Sequence, residues 1–148
     1  MPRILVLEDE PEVNALLRDV LTVEGYDVVC LSHPSQVASA LLITNPDLFL
    51  IDLMLPGSNG TEVARDLRMS RFAGVPIIAV SASVLQCHMA ERCGVFDETI
   101  RKPFDVDELI DSIKRCLAAP VSALGQATDD AADGRRQWMP RVMLGDAG

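Results

Sequence analysis

The chain has 148 residues, enough for one domain with a sizeable core, and 49% of them are hydrophobic while only 4% are aromatic. Its formal charge of −9 argues against sequence-independent nucleic-acid binding, which needs a basic footprint, but leaves docking onto basic protein surfaces open. No apolar run approaches the roughly 18 residues of a membrane span. The N-terminus turns acidic at Glu8 and Asp9, too early for a signal peptide, so a cytoplasmic protein is expected. Cys30, Cys87, Cys93 and Cys116 form no CxxC pair and no metal-ligand spacing, and they read as small core or near-core hydrophobes.

In chain order, Ile4-Leu5-Val6-Leu7 is a first apolar run that ends on Glu8-Asp9. Pro11 suits the first turn of a helix, and Val13, Leu16, Leu17, Val20 and Leu21 then recur at helical spacing until Gly25. A second run, Val28-Val29-Cys30-Leu31, leads through the turn chemistry of Ser32 to Ser35 into a helix marked by Val37, Ala40 and Leu41. Asn45-Pro46 stops that helix, since the residue before proline is pushed out of the α region. Leu48 to Ile51 is apolar throughout, the pattern of a strand buried on both faces, and it delivers Asp52 followed by a Pro-Gly loop.

Thr61 to Met69 carries Val63, Ala64 and Leu67 on one helical face. Val75 to Val80 is a fourth strand ending at Ser81, and a weaker helix with Leu85, Met89 and Ala90 runs to Gly94. Thr99-Ile100 is a brief fifth strand before Lys102-Pro103, and Val106, Leu109, Ile110, Ile113 and Leu117 make a periodic last helix. Five strand–helix alternations with short connections predict an α/β doubly wound domain, a parallel sheet with helices on both faces. The domain is expected over 1–119, and the Ala/Gly/Asp-rich 120–148 reads as a disordered or loosely docked tail.

In a parallel sheet the strand ends share one edge, where open α/β sheets bind ligands. Glu8, Asp9, Asp52, Ser81 and Lys102 converge there. Each has an ordinary account alone, such as a cap, a turn or a surface cation. Together they suggest a site. Carboxylates about 4 Å apart repel by about 4 kcal/mol per pair at an effective dielectric of 20, so a cation is expected among them. Hard oxygen ligands suit Mg2+ or Mn2+. Lys102 offers a fixed charge to a phosphoryl oxygen, the Ser81 hydroxyl a hydrogen bond, and the Asp52 carboxylate a nucleophile able to form an acyl phosphate.

The stretches Ile4-Leu5-Val6-Leu7-Glu8-Asp9-Glu10-Pro11, Ile51-Asp52-Leu53-Met54-Leu55-Pro56-Gly57 with Gly60, Ser81-Ala82 and Lys102-Pro103-Phe104 resemble the receiver domain of two-component response regulators. The resemblance implies a flavodoxin-like five-stranded sheet of order 2-1-3-4-5. It implies Mg2+-dependent transfer of a phosphoryl group to Asp52 from a sensor histidine kinase or histidine phosphotransfer protein. Glu8 and Asp9 would hold the metal with Asp52 and the main-chain carbonyl of Met54, and Lys102 and Ser81 would contact the phosphoryl group.

No output domain fits in 120–148, so a single-domain, chemotaxis-regulator-like protein that signals by binding is expected, and not an enzyme beyond its own phosphotransfer and dephosphorylation. One departure favours an alternative, a phosphorylation-independent interaction module: the family usually has an aromatic three positions before the lysine, where this chain has Thr99. An aspartate-nucleophile phosphatase would want a second Asp at Met54, and a flavin protein would not place Glu8-Asp9-Glu10 in its phosphate loop.

Overall fold

The computed structural model describes residues 1–118. The expectation for 120–148 lies outside them.

Five strands form one parallel sheet: β1 (Arg3–Leu7), β2 (Asp27–Leu31), β3 (Leu48–Asp52), β4 (Ile77–Ser81) and β5 (Glu98–Arg101). Their spatial order is 2-1-3-4-5, as the resemblance implied. The connecting helices are α1 (Pro11–Val23), α2 (Val37–Ile43), α3 (Gly60–Arg68), α4 (Val84–Cys93) and α5 (Val106–Ala118). A two-residue antiparallel ribbon, Met54–Leu55 against Ser58–Asn59, closes the loop after β3.

The two-residue strand period divides the core. Ile4, Val6, Leu48, Leu50, Ile78 and Val80 face Leu17 and Leu21 of α1 and Leu109, Ile110 and Ile113 of α5. Leu5, Leu7, Phe49, Ile51 and Ile77 face Val37 of α2 and Ala64 and Leu67 of α3. Both faces are therefore covered, which is why β3 is buried from end to end.

Several helical positions depart from the sequence reading. In α1 the inward face is Asn14, Leu17 and Leu21, while Leu16 is exposed. In α4 the buried residues are Cys87 and Ala90, and Leu85 and Met89 are exposed. The fourth strand starts at Ile77, two residues later than read, because Pro76 has no N–H for the ladder and contributes only a carbonyl to Phe49. All four cysteines are free thiols. Cys87 and Cys116 are buried and Cys30 and Cys93 half-buried, and burial, reinforced by the nearby Glu98 charge, pushes the Cys116 thiol up to about 12. No helix among the described residues is long and apolar enough to cross a membrane.

Glu98 ties α5 to the edge strand. It accepts from Ser112 Oγ at 2.6 Å and from Arg115 Nε and Nη2 at 3.0 and 2.8 Å. The Arg115 hydrogen bonds, helped by Ser112 and opposed by partial burial, hold its carboxyl below its ordinary value of 4.5. A carboxyl depressed on folding stabilises the native state above the unfolded-state value, and that contribution is lost as pH falls through the folded one. Stability should therefore fall with acid below about pH 4.5 partly through Glu98. Denaturant midpoints measured from pH 6 to 3 should show a shallower fall for Glu98→Gln than for the parent; parallel curves would remove Glu98 from this role.

Candidate functional site

β1, β3, β4 and β5 deliver their polar residues to one edge, as read from the sequence. Glu8 follows β1 directly and is buried, its N–H donating to the Leu31 carbonyl at 3.0 Å. Asp9 beside it is half-buried. Asp52 is the last residue of β3, buried, and stands opposite Val80 in the ladder, one position before Ser81. Ser81 ends β4 fully buried, and its carbonyl accepts the Lys102 N–H at 2.8 Å. The main chains of two neighbouring strand ends thus fix Ser81 and Lys102 relative to each other.

The side chains meet. One oxygen from each of Glu8, Asp9 and Asp52 lies within 4.8 Å of the others. The Lys102 ammonium lies 2.8 Å from Glu8 Oε1, 3.2 Å from Asp52 Oδ2 and 3.3 Å from Glu10 Oε1. Asp52 Oδ1 accepts the Met54 N–H at 3.0 Å, so both oxygens of the carboxylate are held and its plane is set. Burial pushes the Glu8 carboxyl up to about 7; the Lys102 hydrogen bond works against this and the Asp52 charge adds to it. For Lys102, burial alone would lower the pKa, but the Glu8 hydrogen bond and the charges of Asp52 and Glu8 outweigh it and hold the ammonium firmly protonated.

The Ser81 hydroxyl accepts the Ser83 N–H at 3.1 Å, which leaves its own hydrogen available to an incoming oxygen. Ser83 in turn caps α4, accepting the Gln86 N–H at 3.2 Å. Thr99 is half-buried within β5, opposite Ala79.

Two supports escaped the sequence reading. Asn14 donates through Nδ2 to the carbonyls of Glu8 and Leu31 at 2.9 and 3.1 Å, pinning the end of β1 to β2. Its signal was present, since it shares a helical face with Leu17 and Leu21. Glu10 was visible in the motif without a role, and the structure puts it on Lys102.

Gly60, where α3 begins, donates to the Leu53 carbonyl at 3.0 Å. A Cβ at this position would collide with the Asp52 carbonyl and lie 2.9 Å from Leu53 Cα, both main-chain atoms that cannot swing away. Gly60→Ala should therefore destabilise the fold by about 1–3 kcal/mol, an overpacking cost, in denaturant unfolding. An unchanged midpoint would show that the loop after β3 yields freely.

The geometry agrees with the relatives. The model of the response regulator receiver domain matches residues 4–114. The transcriptional regulatory protein BaeR of Escherichia coli O6:H1 is 38% identical over 118 residues, 78% of this chain and 48% of that protein, so the chain spans about half the length of this relative. The response regulator TrrA of Thermotoga maritima, solved in complex with Mg2+-BeF, shares 31% identity, covers 78% of this chain and 99% of its own, and superposes with a TM-score of 0.70. The receiver domain of the sensor histidine kinase PA1611 of Pseudomonas aeruginosa PAO1, solved with magnesium coordinated in its active-site cleft, is 28% identical, with a TM-score of 0.71 over 80% of this chain and 98% of its own. With the family model spanning 4–114 and the five strands in the order 2-1-3-4-5, the chain belongs to the response regulator receiver domains.

Proposed function

We propose that this receiver accepts a phosphoryl group on Asp52 from the phosphohistidine of a sensor kinase or histidine phosphotransfer protein, in an Mg2+-dependent step, and thereby switches protein–protein contacts. The observation that carries this is a buried Asp52 carboxylate with one oxygen on Lys102 and the other on the Met54 N–H, beside two further carboxylates.

In this reading an Asp52 oxygen forms the new P–O bond while the P–N bond to the donor imidazole breaks in line, and the imidazole leaves with the electron pair. The Met54 N–H and Lys102 orient the attacking carboxylate, and Lys102 then follows the charge onto a phosphoryl oxygen. Ser81 donates its free hydroxyl hydrogen to another. The oxygens of Glu8, Asp9 and Asp52 fit Mg2+ or Mn2+ in type and spacing, with the Met54 carbonyl as a further ligand. Bound there, the ion would neutralise charge building on the phosphoryl oxygens. Phosphorylation itself adds about one negative charge at the end of β3.

The output is proposed to run through protein contacts of the receiver, in the cytoplasm and without direct nucleic-acid binding. Beyond this self-modification and its reversal no enzymatic activity is proposed.

A phosphorylation-independent module is the second reading, favoured by Thr99 where an aromatic is usual. Calorimetric titration with Mg2+ separates the two. The switch requires saturable binding that Asp9→Asn weakens by at least about tenfold, roughly 1.4 kcal/mol. Absence of binding to the parent, or equal binding to both, would favour the inert module.

A further inference from the structure

Lys102 has three N–H bonds and three carboxylate partners, so its ammonium is saturated. Two of those partners, Glu8 and Asp52, are buried in the site. The third, Glu10, has a side chain 62% exposed. Glu10 is also the residue just before α1, where a side chain ordinarily caps the helix, yet it makes no capping hydrogen bond. Its backbone is extended ahead of Pro11 and its N–H donates to Glu8 Oε2 at 3.1 Å. The carboxylate thus forgoes α1 and reaches over Glu8 to Lys102.

We propose that Glu10 is a positioning residue: it anchors Lys102 at the mouth of the pocket in the unphosphorylated state and sets how readily the ammonium passes to a phosphoryl group on Asp52. This rests on the phospho-acceptor reading above and adds a regulator to the same site. Three donors cannot serve Glu8, Glu10 and a phosphoryl oxygen and also keep Asp52, so one contact must be released. The Glu10 contact is the cheapest to give up, because its exposed carboxylate regains water while the freed Lys102 N–H passes to the phosphoryl oxygen. An interaction lost on switching stabilises only the resting state, so its removal favours the switched state by the same factor.

Glu10→Ala removes the anchor and its charge. Glu10→Asp keeps the charge but shortens the reach by one methylene and restores a good cap, which draws the carboxylate toward the α1 N–H groups. Two measurements are made on the full chain: affinity for Mg2+ with beryllofluoride as the phosphoryl stand-in, and solvent exchange of the Lys102 ammonium protons by NMR without metal. Both variants should bind beryllofluoride about two- to five-fold more tightly, the range an exposed ion pair is worth, and both should exchange the ammonium protons faster. Unchanged or weaker binding in both would overturn the proposal. So would tighter binding in Glu10→Ala alone, which would make Glu10 a repulsive charge and not an anchor. If the parent fails to bind beryllofluoride, the phospho-acceptor reading fails; the metal-free exchange then still decides whether Glu10 holds Lys102.

Discussion

Asp52→Asn should abolish phosphoryl incorporation from acetyl phosphate, lowering the rate by at least about three orders of magnitude, roughly 4 kcal/mol of transition-state stabilisation. The amide oxygen carries no formal charge and is a far weaker nucleophile, so the loss falls on bond formation. The fold should survive. The Asn oxygen can still accept the Met54 N–H, and the substitution removes repulsion from Glu8 and Asp9 together with one of three partners of Lys102, two opposing effects. Thermal unfolding close to that of the parent, with no acyl phosphate formed, is the expected pair of results. Undiminished incorporation in the variant would place the nucleophile elsewhere.

Arg68→Met should cost about 3–5 kcal/mol of stability, the range for removing one partner of a buried ion pair. For a domain of this size that lowers the melting temperature by roughly 10–25 °C. Arg68 lies at the end of α3, buried near the amino-terminal ends of β4 and β5, away from the acidic pocket. Nε donates to the Val95 carbonyl at 2.9 Å, Nη1 to the Ala73 and Val75 carbonyls at 2.9 and 2.8 Å, and Nη2 pairs with Asp97 at 2.7 Å. Asp97 also accepts the Ile77 N–H at 2.8 Å, so the pair stitches the segments that enter both strands. Methionine fills similar space but leaves those carbonyls and the Asp97 carboxylate uncompensated. A change under about 1 kcal/mol would mean that water replaces the guanidinium and that the site is not sealed.

Much of the architecture was legible because burial on both faces forces unbroken apolar runs, and β1, β3 and β4 show them. Once the strands are parallel, topology alone gathers Glu8, Asp9, Asp52, Ser81 and Lys102 at one edge. Arg68 was not legible. Three of its partners are main-chain carbonyls, which carry no residue identity, so an arginine beside Leu67 on an amphipathic helix reads as solvated. The Glu10–Lys102 pair spans 92 positions and depends on the backbone angle just before Pro11, which periodicity does not report. The inward face of α4 was legible only in part, at Ala90: small residues, Cys87 and Ala90, fill it against Ser81, Leu53 and Ala79, while the larger Leu85 and Met89, read with Ala90, point outward. Size is a poor guide where a helix packs closely on a sheet.

The most direct test is to locate the phosphoryl group. The parent is incubated with acetyl phosphate and Mg2+, then digested and mapped by mass spectrometry, with hydroxylamine treatment and a chelated control alongside. One hydroxylamine-labile phosphoryl group per chain on the peptide containing Asp52, absent under chelation, is expected. A hydroxylamine-stable phosphate on a serine or histidine, or equal labelling without the divalent ion, would contradict the acidic pocket as the phospho-acceptor site.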